Sequence, residues 1–358
     1  MKRILGLLTI AIVILAGCAN GTSSVDCKTV DKSDITMVSD TGGVNDKSFN
    51  QGTWEGVQKY CAEANVTAAF IESTSESQYI PNLTIAAENS KVVVGAGFTF
   101  EKPMYEVATK YPDVKFVLID GQPTNSSDEK VELDNVQSYF FDETQAGYLV
   151  GYVTGKTTTT NKVGFVGGLE MPPVQKFGWG YLQGIQDSNP DVVVDYQYAG
   201  DFSNSALGKT LADAMFNGGG DIIFTAAGGT NTGVVEASKA LVLNGKTAWV
   251  IGVDRDMYED GNYTSDNETK SVILTSAVKN VGTAAYDGVK AALENTWQGG
   301  VFTLTYEDGA VGLPKTNPNL EESLIEEANK ALENKKDLKS KTADEVSGSL
   351  SIKVNGKI

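Results

Sequence analysis

The sequence predicts an α/β protein built as two doubly wound, parallel-sheet lobes joined by a hinge. Three observations carry that prediction. Short apolar runs alternate with segments whose apolar residues recur at helical spacing, the rhythm of βαβ units. The runs are nearly continuous in apolar character, as strands covered on both faces are. They fall into two sets of four, separated by a break after residue 120.

The first set is ITMVS (35–39), AAFIES (68–73), VVVGAGF (92–98) and VKFVLID (114–120). After ITMVS comes SDTGGVNDKSFNQ (39–51), and then Trp54, Val57, Cys61 and Ala64 at helical spacing. Ser48 followed by Gln51 fits a capping box, which makes Ser48 the expected N-cap. Phe49 then sits in the first turn, off the apolar stripe and beside the loop. EKPMYEVATKYP supplies a further helix of this lobe.

The helix-like run 142–156, DETQAGYLVGYVTGK, opens the second lobe. Its strands are VGFVGGL (163–169), VVVDYQYAG (192–200), DIIFTAAGG (221–229) and AWVIGVD (248–254). Helices are expected over PVQKFGWGYLQGIQDSNP, ALGKTLADAMFNGGG and TGVVEASKALVLNG. VILTSAVKN (272–280) and the helix VGTAAYDGVKAALENTW read as a return to the first lobe. The helix 318–336, NLEESLIEEANKALENKK, is expected to end the fold. The resulting organisation is a leader at 1–17 and a tether at 18–33. The first lobe takes 34–141 and 276–302, and the second 142–275 and 303–358.

The leader begins MKRILGLLTIAIVILAGC, a basic start, an apolar run too short to span a bilayer comfortably, and small residues. Leu15-Ala16-Gly17-Cys18 resembles the bacterial lipobox, so Cys18 is the expected lipidation site, holding the chain on the extracytoplasmic face of the cell membrane. Cys61 lies on a helical stripe and reads as a core residue. In an exported chain a disulfide between Cys27 and Cys61 is the alternative.

Composition narrows the function. The 358-residue chain carries a net charge of −17, and its pI is near 4.5, which disfavours nucleic acid as a partner. It contains no histidine, removing the commonest general base and most zinc sites. No G-x-S-x-G elbow, phosphate loop or dinucleotide fingerprint is present, so neither an enzyme nor a cofactor is expected, and no metal site. Polar and glycine residues gather instead at strand ends: Asp40, Asp120, Gly228 and Asp254. In parallel sheets these are carboxyl edges, where open α/β folds bind ligands. Carboxylates there suit hydroxyl and N–H donors.

The opening stretch from Ser39 to Gln51, followed by Trp54-Glu55-Gly56, resembles the signature of the basic membrane protein family of lipoproteins. VGFVGG, FTAAGGTNTGVVEA, WVIGVDRD and ILTSAVKN resemble its remaining blocks in the same order. The resemblance implies the type I periplasmic-binding-protein fold and a monomeric receptor that passes nucleosides, purine nucleosides above all, to an ABC permease. A sugar or other small polar ligand is the alternative on the same fold. It further implies ribose contacts at Asp40, base contacts at Asp46 and Asp120, and stacking rings at Phe49 and Phe202. Gly228, Asp254 and Lys279 complete the implied ligand set. Asp46 stands where some receptors of the family have asparagine, which leaves the preferred purine open.

Overall fold

The computed structural model describes residues 32–358. Cys18, Cys27 and the leader lie outside them. The chain begins with β1 (Ile35–Ser39), α1 (Phe49–Ala64), β2 (Ala68–Ile71) and α2 (Tyr79–Asn89). It continues with β3 (Val92–Ala96), α3 (Glu101–Lys110), β4 (Lys115–Ile119) and β5 (Val136–Phe141). There it crosses into α4 (Glu143–Thr157), β6 (Lys162–Gly167), α5 (Pro172–Ser188), β7 (Val193–Tyr198) and α6 (Ser205–Asn217). Then come β8 (Ile222–Ala226), α7 (Asn231–Val242), β9 (Trp249–Asp254), the hairpin β10 (Asn262–Ser265) and β11 (Glu268–Ser271), and β12 (Ile273–Lys279). A second crossing leads to α8 (Val281–Leu293) and β13 (Gly300–Leu304). A third leads to β14 (Val311–Gly312), α9 (Glu322–Asn334), α10 (Ala343–Ser347) and β15 (Lys353–Asn355).

The first sheet has the order β13-β5-β4-β3-β1-β2 and is parallel throughout. The second has the order β14-β12-β9-β8-β6-β7-β15 and is parallel except where β14 meets β12. Register decides where the strands stop. Ser39 pairs Ala96, and Ala96 pairs Ile119, so β1, β3 and β4 end level. Asp40, Gly97 and Asp120 therefore share one rim. In the second sheet Asp254 lies level with Val278, just before Lys279.

Some expectations are corrected. Residues 273–279 do not return to the first sheet; they form β12 of the second, and the crossing follows at Asn280. The helix at 322–334 does not end the fold, because β15 adds a last parallel strand on β7. β5 was unexpected: VQSYFF carries Gln137 and Ser138, which are buried, and Gln137 is satisfied by the Gln298 carbonyl and the Tyr139 hydroxyl. Ser48 precedes α1, yet its side chain makes no capping bond. Cys61 sits on the buried face of α1 and is disulfide-bonded, where a plain core thiol was expected.

The second lobe depends on backbone contact between α4 and α5. A Cβ on Gly151 would fall 2.2 Å from the Tyr181 carbonyl oxygen, and one on Gly184 would fall 2.1 Å from that of Tyr148. No larger residue fits at that crossing. α4 begins at the first interlobe crossing and α5 carries Phe177, so this contact fixes part of the site wall.

Candidate functional site: a cleft between the two rims

The first rim is built around carboxylates. Asp40 follows β1, and its Oδ1 accepts bonds from the Gly42 amide at 2.9 Å and the Asn50 side-chain amide at 2.8 Å. Burial pushes its carboxyl up to about 6. Asp46 performs the capping that Ser48 does not. Its Oδ1 accepts from the Ser48 and Gln51 amides, and its Oδ2 from the backbone and side-chain amides of Asn50, all within 2.8–3.0 Å. Those four bonds use the full acceptor capacity of a carboxylate. Burial still raises its pKa. Asp120 follows β4 in left-handed backbone, φ 59°. Its Oδ2 accepts from Lys279 at 2.5 Å, while its Oδ1 is buried without a partner.

The second rim supplies the cation and a second ring. Gly228 opens a one-turn helix after β8 with φ 55°, against the Phe202 backbone. The Phe202 ring lies on Gly168, where a Cβ would come within 2.2 Å of it. Asp254 ends β9, also left-handed at φ 66°. Side chains held in this sparsely populated region concentrate at functional sites. Its Oδ2 accepts the Ser48 hydroxyl at 2.5 Å, across the two lobes. Burial lifts its carboxyl to about 6, against the opposing pull of Lys279.

Lys279, 2% exposed, is where both lobes meet. Its ammonium lies 2.5 Å from Asp120, 3.5 Å from Glu143 and 3.9 Å from Asp254. It also stands 5.0 Å from the Phe49 ring centre and 5.5 Å from those of Phe141 and Phe177. Burial alone disfavours the ammonium, but the three carboxylates outweigh it and raise its pKa. Glu143, buried at the start of α4, is pushed up to about 7 by desolvation, with Lys279 opposing.

All eight residues singled out from sequence line one cavity between the two rims: Asp40, Asp46, Phe49, Asp120, Phe202, Gly228, Asp254 and Lys279. Sequence reasoning missed Asn50, Phe98, Met171, Val174 and Phe177, which also line it. Asn50 adjoins Phe49 in the opening stretch and could have been flagged there. Phe177 sits at helical spacing among core residues and could not.

The chemistry of this cavity is lopsided. Buried acceptors without partners, Asp120 Oδ1 and Asn50 Oδ1, face no spare donor. The single lysine is already flanked by three carboxylates. A phosphate would meet net negative charge, whereas a neutral guest with hydroxyl and N–H donors would satisfy the walls. The apolar rings of Phe49, Phe177 and Phe202 suit a flat body. Among the described residues no cluster of His, Cys, Asp and Glu is arranged to hold a metal ion.

Comparison with known proteins agrees with this architecture. Residues 34–344 match the family described as ABC transporter substrate-binding protein PnrA-like. The "ABC transporter nucleoside-binding protein BmpA" of Lactococcus lactis is 36% identical over 335 residues, covering 89% of this chain and 93% of that protein. Basic membrane protein D of Borreliella burgdorferi is 32% identical, covering 87% of this chain and 86% of that protein. Among solved structures, a solute-binding protein of an ABC transporter system from Aeropyrum pernix superposes with a TM-score of 0.69 at 27% identity. That match covers 88% of this chain and 89% of the other.

Proposed function

The chain belongs to the PnrA-like family of ABC transporter substrate-binding proteins, and from that premise we propose that it captures nucleosides, purine nucleosides above all, for an ABC permease. The observation that carries this reading is the unpartnered Asp120 Oδ1 in a buried cavity walled by phenyl rings from both lobes. A base between Phe49 and Phe202 uses the apolar walls. An N–H on its edge supplies the donor that Asp120 lacks, while Asp40, Asp254 and Lys279 take the ribose hydroxyls. Asp46 spends its oxygens on the α1 amides, so it shapes the loop and leaves the base edge to Asp120 and Asn50. A relative of 36% identity carries a nucleoside-binding name, which supports the same choice.

Mass spectrometry of small molecules released on denaturing the protein from its native host tests this. Nucleosides are the expected release; a pentose or other sugar as the sole release would replace the reading with that of a sugar receptor. The proposal includes lipid anchoring at Cys18 on the extracytoplasmic face, with the receptor acting as a monomer. Cys18→Ala is then expected to move the protein from the membrane fraction to the soluble one; an unchanged membrane fraction would remove the anchor.

A further inference from the structure

Arg255 follows Asp254 in the WVIGVDRD block but does not line the cavity. It belongs to the second lobe and reaches the first. Its Nε donates to the Lys47 carbonyl at 2.7 Å, its Nη2 to Asp260 Oδ2 at 2.5 Å, and its Nη1 to the Asp256 carbonyl at 3.3 Å. Asp260 Oδ1 lies 3.7 Å from Lys47 Nζ, closing the ring of contacts. Lys47 is left-handed at φ 57°, a costly conformation for a residue with a Cβ. It stands between Asp46, which caps α1, and Ser48, whose hydroxyl bonds Asp254. Phe49 follows at once. Two adjacent residues of the first-lobe loop are thus gripped by one short segment of the second lobe.

We propose that Arg255 is a positioning residue, the centre of an interlobe latch that holds the 46–49 loop, and with it the Phe49 ring, in the closed geometry. The guanidinium suits this because its rigid planar fork presents separate N–H groups to a carbonyl and a carboxylate together, whereas a lysine ammonium is a single point charge on a flexible stem and does not reproduce that geometry. Arg255 is a quarter exposed, with its side chain at 27%, so the latch sits at the cleft rim. A contact made only in the closed state slows ligand release and leaves encounter unchanged, since interface changes act mainly on dissociation.

The inference rests on the nucleoside reading only for the ligand used in its kinetic arm. Arg255→Ala and Arg255→Lys are compared with the wild type in two measurements. Stopped-flow with inosine and guanosine is expected to show release about tenfold faster in both variants, the size of one lost charge-assisted bond, with association and the melting temperature of the empty protein unchanged. Distance distributions between spin labels on the two lobes are expected to show a smaller closed population in the ligand-free variants. Unchanged release together with an unchanged closed population overturns the latch. A lowered melting temperature with unchanged release assigns Arg255 to local structure and also overturns it. If the wild type binds neither nucleoside, the nucleoside reading fails and the spin-label result alone decides the latch.

Discussion

Asp254 combines left-handed backbone, a bond to the opposite lobe and a carboxyl lifted to about 6 by burial. Asp40 shares the lifted pKa. The sign of the pH effect follows from that. Folded pKa values raised above the unfolded ones favour the empty folded state at low pH, and that contribution is lost as pH rises through about 6. In the nucleoside reading, ribose hydroxyls bind an ionised carboxylate more strongly than a neutral carboxyl. Nucleoside affinity is therefore expected to fall as pH drops through 6 while the empty protein does not lose stability over the same window; titration calorimetry at pH 5 and 7.5 beside thermal melts checks both. Affinity that is flat across that range would detach these aspartates from the ligand. Phe49→Ala is expected to cost about tenfold or more in purine nucleoside affinity, from stacking worth roughly 1–3 kcal/mol per base, and to narrow the preference over pyrimidines. At this scale the sequence was informative where chemistry stood out. Four strand-end positions, three of them aspartates, in a chain without histidine pointed to a cleft of acceptors. Glu143 gave no signal, because an acidic residue opening a helix is ordinary helix chemistry.

Elements were legible where apolar periodicity was strong. All eight strands read from the two sets of four are present; β1, β3 and β8 are buried along their whole length, while the partly exposed β2 and β7 still carry the apolar run that marks them. β13 was not, because its half-exposed residues alternate and its pairing is set by β5, far away in sequence. The capping of α1 departs from the expected box for a physical reason: the Ser48 hydroxyl has a stronger partner in Asp254, and Asp46 accepts from the free amides that follow it. The α4–α5 crossing makes its own prediction. Gly151→Val places a side chain where 2.2 Å separates a Cβ from the Tyr181 carbonyl. Its cost is expected at or above the top of the roughly 1–3 kcal/mol range for overpacked cores, read as a lowered denaturation midpoint. A midpoint within error of the wild type would mean that the helices are not in backbone contact.

At the scale of the whole molecule, three crossings join two sheets whose carboxyl rims face each other, and Lys279 sits beside the second crossing. Its ammonium lies 2.5 Å from Asp120 of one lobe and 3.5 and 3.9 Å from Glu143 and Asp254 of the other, so one buried cation ties the two rims together. The sequence indicated two lobes but misplaced β12 on the way back, since nothing local tells which sheet an apolar strand joins. The cavity between the rims is expected to take a neutral, flat guest rich in donors. Isothermal titration of ligand-stripped protein with guanosine, guanosine monophosphate and free ribose tests it most directly. Guanosine is expected to bind, with ribose and the monophosphate each at least about a hundredfold weaker, the loss of roughly two tenfold steps of 1.4 kcal/mol. Ribose binding as tightly as guanosine, or the monophosphate binding equally well, would contradict the account.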